Sequence, residues 1–423
     1  MLFAVFSTLV PAMAADEMNC FTYVVGRKVS ATGRVIVGHN EDDRDPIYVK
    51  WGIVPARDWP EGTVLPATKG CCGTIPQVPH TLSAFWGEVK FAHGDSNADF
   101  FYNERGVLVV SNSGGKTRSK EMSDDAALTD GGIRFNLRRA VGERAGSARE
   151  AVRIVCELVG RYGYQPAARI YTVADRDEAW QVSVVHGRNY VAVRCPDDKV
   201  TILPNLYTVR DLSAFPPEDV IVSPGLKENA RQKGYWDGTS PFDFANAYQG
   251  SADYGARHLF EHPNNTGRFR LAIRDLTGKD WGTEPYPFAL PPRGKISAAD
   301  MKRLLSSHDA NGAVKHSKKD WSICRPTTIE SLVCEFGENL AETTLHLAKG
   351  RPCETPFRAI VPFGPQGIPP DVDDSLTAAA RLATHVAETD SWQSVCCCRD
   401  YRDLAGRAKP LAGRTRLCSH FGH

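Results

Sequence analysis

Residues 20–42, CFTYVVGRKVSATGRVIVGHNED, constrain the fold more than any other stretch of the chain. Phe21 to Val25 and Val35 to Val37 are β-branched or aromatic runs of strand length, and Ser30-Ala31-Thr32-Gly33 between them is a cluster of turn residues. The chain should therefore fold back as an antiparallel hairpin, with the end of the second strand beside the start of the first. Cys20 is expected next to His39, Asn40, Glu41 and Asp42, about twenty residues away in sequence.

The same signals divide the rest of the chain. Residues 54 to 80 are rich in Pro and Gly and read as a long loop after the hairpin. Phe100 to Tyr102 and Val107 to Val110, with a turn at Asn103 to Gly106, predict a second hairpin. Ile133 to Val141 and Ala151 to Val159 carry apolar residues at helical spacing, and Ser147 with Glu150 is a capping pair at the start of the second helix. Ile170 to Val173, Trp180 to Val185 and Tyr190 to Val193 predict a three-stranded meander. Residues 210 to 310 read as mostly helical, and 329 to 363 return to strands. Each sheet must bury one face, so this order implies an α+β fold with two antiparallel sheets covered by helices. Residues 371–423 read as an appended helix and a basic tail.

A cysteine opening an apolar strand is by default a small buried hydrophobe. The carboxylates expected beside Cys20 argue for chemistry, and so does the segment before it. Residues 2 to 14 form an apolar run too short to span a bilayer, ending in Ala12-Met13-Ala14, a small-x-small cleavage pattern, although no Lys or Arg precedes it. Residues 1–19 thus read as a signal peptide plus a short propeptide, which implies export; a cytoplasmic protein with a short propeptide is the alternative. If Cys20 attacks the Asn19 carbonyl and the propeptide leaves, the cysteine gains a free α-amine. Such an amine has a pKa of about 7.7–8.0 against about 8.5 for a thiol, so the two can exchange a proton near neutrality without a histidine.

At these residues the sequence resembles the dipeptidase A and secernin family of cysteine peptidases, within the N-terminal-nucleophile (Ntn) hydrolases. The resemblance rests on Cys20 opening a strand and on Gly38-His39-Asn40-Glu41-Asp42. Further blocks follow in order: Asn103-Glu104-Arg105-Gly106-Val107 with Ser111-Asn112, Asp175 to Trp180 with Arg188 to Arg194 and Pro204-Asn205-Leu206-Tyr207-Thr208, then Thr327 to Ser331 and Pro352 to Phe363. It implies a four-layer αββα sandwich for residues 20–370 and hydrolysis of dipeptides or short peptides. It also implies Cys20 as nucleophile, Asp42 as the acceptor that orients its ammonium, and Asn205, with Asn112 as second choice, as donor to the oxyanion. Arg194 and Asp175 are read as structural. His39 stands where many relatives carry Arg or Lys, and so is expected to bring a charge titrating near its ordinary value, about 6.5, to the thiol. Related Ntn amidases cut penicillin V or bile-acid amides, and some secernins are not known for turnover, so both remain as alternatives.

The resemblance implies no cofactor, no metal and indifference of the reaction to chelators. A rival motif, His258-Leu259-Phe260-Glu261-His262, has the form of an inverted zinc-peptidase site, but Pro263 would end its helix at the second histidine. A net charge of +1 points to no nucleic-acid partner, no stretch is long and apolar enough for a transmembrane helix, and a homo-oligomer is compatible with the sequence. There are twelve cysteines; Cys71-Cys72 and Cys396-Cys397-Cys398 lack the spacing of a metal knuckle, and disulfides among the others are left open.

Overall fold

A computed structural model describes residues 20–43, 46–66, 74–91, 96–114, 117–118, 128–134, 136–250, 263–282, 285–309, 315–316 and 321–372. The expected leader, the His258 to His262 motif, the Cys71-Cys72 and Cys396 to Cys398 groups, and the tail from 373 onward lie outside them.

In chain order, β1 (Phe21–Val25) and β2 (Ile36–Asp42) form the expected hairpin, and β3 (Pro46–Val54) follows. The segment read as loop contains two short ladders, β4 (Arg57–Asp58) with β7 (His80–Thr81) and β5 (Val64–Pro66) with β6 (Thr74–Pro76). Next come β8 (Ala84–Phe91), β9 (Ser96–Asn103), β10 (Leu108–Ser113), α1 (Asn136–Arg144) and α2 (Ala148–Tyr162). The expected meander is β11 (Tyr164–Ala174), β12 (Ala179–Gly187) and β13 (Tyr190–Arg194), followed by β14 (Val200–Leu203) and β15 (Val220–Val222). After α3 (Leu226–Gln232), α4 (Phe244–Tyr248), α5 (Pro263–Thr277), β16 (Ala289–Leu290) and α6 (Ala298–Leu305), the chain ends in β17 (Thr328–Glu335), β18 (Thr344–Ala348) and β19 (Arg358–Ile360).

Two antiparallel sheets result. One runs β16-β14-β1-β2-β17-β18-β19 and the other β15-β13-β12-β11-β10-β9-β8-β3. Strand alternation sets the layers. Phe21, Tyr23 and Val25 of β1 pack with Phe269 and Ile273 of α5 and Met301 of α6, whereas Val24 turns to a core shared with Phe100 and Val110 of the second sheet. The other face of the second sheet, with Phe101, Val109 and Val182, is covered by Val141 of α1 and Val155 of α2. Helices, sheet, sheet and helices make the four-layer αββα sandwich that the resemblance implies.

Local chemistry supports these elements. Ser147 caps α2 by accepting from the Glu150 amide, and Asp175 ties the β11–β12 turn by accepting from the amides of Asp177 and Glu178. Arg194 pairs with Glu178 and Asp197 at the end of β13.

Candidate active site

Register places the site. Phe21 pairs with Asn40 and Thr22 with His39, so the next rung sets Cys20 beside Glu41. On the other side of β2, Ser331 of β17 pairs with Asn40 and Thr328 with Asp42, with an irregularity between Thr328 and Glu330. Alternation along β2 turns His39 and Glu41 toward the second sheet, and Asn40 and Asp42 toward the helices. Asn40 is held there by donating to the Leu305 and Ile323 carbonyls and by accepting from the Ser331 hydroxyl.

Cys20 is 1% exposed. Its Sγ lies 3.3 Å from Glu41 Oε2 and 4.0 Å from the Asp42 carbonyl oxygen. Burial pushes the thiol well above its ordinary pKa, and the negative charges of Glu41 and Asp42 add to the effect. With Cys20 still joined to Asn19, the thiol is neutral at pH 7.

Asp42 is also fully buried, and neither of its carboxylate oxygens accepts a hydrogen bond of ordinary geometry. Burial raises its pKa to about 7, against the pull of Thr328, Arg325 and Arg268. A buried carboxylate left this way is a costly arrangement unless a cation is meant to meet it.

His39 stands one carboxylate away from the thiol. Its Nε2 lies 3.3 Å from Glu41 Oε2 and 3.4 Å from Asp99 Oδ1, and its Nδ1 lies 2.8 Å from the Thr22 hydroxyl. Thr22 donates its only proton to Asn112 Oδ1 at 2.6 Å, because the Asn112 amide is turned to donate to the Leu203 carbonyl at 3.1 Å. Thr22 must therefore accept from Nδ1–H, while Nε2 faces two carboxylates, so both ring nitrogens carry protons. Although burial works to lower the pKa of His39, Asp99 and Glu41 raise it to about 9. The expected titration near 6.5 is thus moved above neutrality, because two buried carboxylates hold the imidazolium charge. Asp99, which burial alone would raise, is brought down to about 2 by His39 and Arg138.

Asn205 and Cys20 are joined through a residue that sequence reading missed. Arg268 of α5, fully buried, donates to the Cys20 carbonyl at 3.0 Å and to Asn205 Oδ1 at 2.8 Å. Asn205 Nδ2 donates to the Ser113 carbonyl at 3.0 Å, leaving a second amide hydrogen. Asn112 joins the two sheets through Thr22 and Leu203. Of the five sequence-derived candidates, Cys20, His39, Asn112 and Asn205 thus belong to one hydrogen-bonded network, and Asp42 touches it only through its main-chain carbonyl oxygen, 4.0 Å from Cys20 Sγ.

Three further members had no assigned role: Glu41 at the thiol, Asp99 behind His39, and Arg268. Glu330 lies behind them, accepting from the Trp51 indole, with its pKa pushed well up by burial and then by the charge of Asp99. Arg268 stands three and four residues before Leu271 and Ala272, on the apolar stripe of its helix, and a charge on that stripe is the signal that could have found it.

The chain matches the family model described as Peptidase family C69 over residues 19–328. It is 22% identical over 339 residues to a probable dipeptidase of Latilactobacillus sakei, covering 76% of this chain and 69% of that protein. It is 25% identical over 232 residues to a probable dipeptidase B of Streptococcus pyogenes serotype M1, covering 54% of this chain and 46% of that protein. The chain thus matches about half the length of the streptococcal relative. Among solved structures, it aligns with a penicillin V acylase from Agrobacterium tumefaciens at 12% identity and TM-score 0.34, covering 78% of this chain and 83% of that one. A mutant conjugated bile acid hydrolase from Clostridium perfringens aligns at 9% identity and TM-score 0.34, covering 81% and 96%.

Proposed function

The chain belongs to Peptidase family C69, and from that premise we propose that it is a cysteine dipeptidase whose nucleophile, Cys20, acts as the N-terminal residue of the processed protein. The observation that carries this reading is a buried carboxylate that accepts no well-formed hydrogen bond, Asp42, next to a buried thiol: Cys20 Sγ lies 4.0 Å from the main-chain carbonyl oxygen of Asp42, whose carboxylate turns to the helix side of β2. An ammonium on Cys20 is the cation that would satisfy Asp42 and offset the negative charge raising the thiol's pKa.

In turnover, the Cys20 amine takes the thiol proton as Sγ attacks the peptide carbonyl carbon. The amine then delivers the proton to the leaving amine, and water hydrolyses the thioester. Asp42 orients the ammonium, and the second amide hydrogen of Asn205, aligned by Arg268, serves the oxyanion. Before processing, the amine is tied up in the Asn19–Cys20 amide and cannot act as base. Glu41 Oε2, 3.3 Å from Sγ, takes that part: it takes the thiol proton as Sγ adds to the Asn19 carbonyl carbon and passes it to the Cys20 nitrogen as the C–N bond breaks, and water then hydrolyses the thioester to release the propeptide. Export of the protein, and the short propeptide itself, belong to this same reading.

Intact-mass analysis tests it. Wild type should begin at Cys20, whereas Cys20→Ala and Glu41→Gln should stay uncut; identical processing in all three would sink self-cleavage. The processed protein should hydrolyse unblocked dipeptides, and thiol alkylation should stop it. Asn205→Ala should lower kcat by about two to three orders of magnitude, the usual loss for one oxyanion donor. Preferential turnover of penicillin V or a glycine-conjugated bile acid would assign it an acylase activity instead, and a processed protein that turns over nothing would favour a non-enzymatic role.

A further inference from the structure

Below the carboxyl end of β2, outside the catalytic network, four side chains from distant parts of the sequence converge. His308 follows α6, His316 and Cys324 lie on the connection to β17, and Cys353 lies between β18 and β19. One ligand atom from each lies within 4.8 Å of all the others. Cys324 Sγ and Cys353 Sγ are 3.4 Å apart, and His316 Nε2 is 3.7 Å from the first and 3.4 Å from the second. The His308 ring sits against that of His316, with centroids 4.8 Å apart.

We propose that His308, His316, Cys324 and Cys353 form a structural Zn2+ site of the Cys2His2 type. With Zn–S near 2.3 Å and Zn–N near 2.0–2.1 Å, a regular tetrahedron puts sulfur atoms about 3.8 Å apart and sulfur and nitrogen about 3.5 Å apart. The three separations among His316, Cys324 and Cys353 match those edges to within a few tenths of an ångström, and the fourth ligand atom, on His308, lies within 4.8 Å of each of them. A disulfide fits less well, since it needs sulfur atoms at about 2.03–2.05 Å and has no use for two imidazoles.

The surroundings supply what such a site requires. His316 Nδ1 lies 3.2 Å from Glu354 Oε1, which fixes the proton on Nδ1 and leaves the Nε2 lone pair aimed at both sulfurs. Cys324 is buried, and the other three ligands are partly shielded. Burial holds the Cys324 thiol neutral and far above its ordinary pKa in the absence of a cation. Binding exchanges the two thiol protons for the metal, and two thiolates balance its charge. Four protein ligands leave no open position, so the ion is structural.

Its effect reaches the catalytic site through the backbone. The Cys324 amide donates to the Ser307 carbonyl, the Ile323 carbonyl accepts from Asn40, and Arg325 faces Asp42. The ion would clamp the connection between α6 and β17 to the β18–β19 loop, which keeps these contacts in place.

The test is metal content by mass spectrometry on untagged full-length protein, independent of activity. One zinc per chain is expected in wild type. Cys324→Ser with Cys353→Ser should reduce it at least tenfold. Glu354→Gln, which leaves all four ligands and changes only an exposed carboxylate, should weaken zinc affinity about 10–100-fold in a chelator competition. Cobalt exchanged into wild type should give the visible bands of a tetrahedral ion and a sulfur-to-metal charge-transfer band. A zinc-saturated wild type holding no more metal than the double variant would overturn the proposal. So would a non-reducing peptide map that finds Cys324 bonded to Cys353.

Discussion

His39 and Asp42 sit three residues apart, and both carry stability that falls as pH rises. The folded pKa of His39 is raised from 6.5 to about 9, so its contribution is complete below pH 6.5 and lost as pH climbs through about 9, worth roughly 3 kcal/mol over that window. His39→Gln should therefore flatten the stability profile between pH 6.5 and 9, and at pH 7 should cost about 3–5 kcal/mol by leaving Glu41 and Asp99 without their counter-charge. Urea titrations at several pH values check this; an unchanged alkaline slope would remove His39 as its source. The Asp42 pKa is raised from 3.8 to about 7, so the uncut chain binds more protons folded than unfolded between those values and loses stability across them. In a Cys20→Ala background, which keeps the chain uncut, Asp42→Asn should stabilise the protein at pH 8 by roughly 2–4 kcal/mol. The same substitution in the cleavable chain should abolish most turnover with little change in KM, since the group acts mainly in the transition state. A less stable Asp42→Asn precursor would mean that Asp42 is already paired before cleavage. Sequence could name Cys20, His39 and Asp42 because one hairpin carries all three. It left out Arg268 and Asp99, which reach the site from α5 and β9 only once the layers have packed.

At the scale of elements, close backbone approach decides which positions tolerate a side chain. Gly26 follows β1, where a Cβ would lie 2.2 Å from the Pro196 carbonyl oxygen and 2.4 Å from that of Asp197. Gly38, in the middle of β2, would instead drive a Cβ into the Met301 side chain of α6, 2.3 Å from Sδ. Backbone held by the Gly26-to-Lys199 and Lys28-to-Asp197 hydrogen bonds cannot withdraw, whereas a methionine can change rotamer. Gly26→Ala should accordingly destabilise by more than the about 1–3 kcal/mol usual for overpacking, and Gly38→Ala should stay within it. Thermal melts of the two variants decide the order, and a more harmful Gly38→Ala would show α6 to be rigidly seated. Local patterning was enough to reveal the hairpins, α1, α2 and the β11–β13 meander, since each is made by neighbours in sequence. The two small ladders within residues 57–81 were hidden because their strands are only two or three residues long and contain Pro66 and Pro76. Among the described residues, the stretch from 210 to 310 is less helical than expected, with β15 and β16 inside it and a non-helical connection at 233–243 between α3 and α4.

For the whole molecule, strand order matters more than any single contact, and it was the least legible feature: alternation shows that two faces must be buried, not which distant strands will flank β1. The first sheet seats β1 between β14 and β2, and seats β2 between β1 and β17. The strand that follows Cys20 is thus held by residues 200–203, and the strand that carries Asp42 by residues 328–335. A ribosome making about 5–20 residues per second needs roughly a quarter of a minute to a minute to pass from Cys20 to Glu335. Throughout that interval the thiol has no completed cleft, no Arg268 or Asn205 at first, and no finished wall beside Asp42. On the proposed self-processing, strand order therefore acts as a clock: cleavage before Cys20 has to wait until the last strands of the sheet have been made.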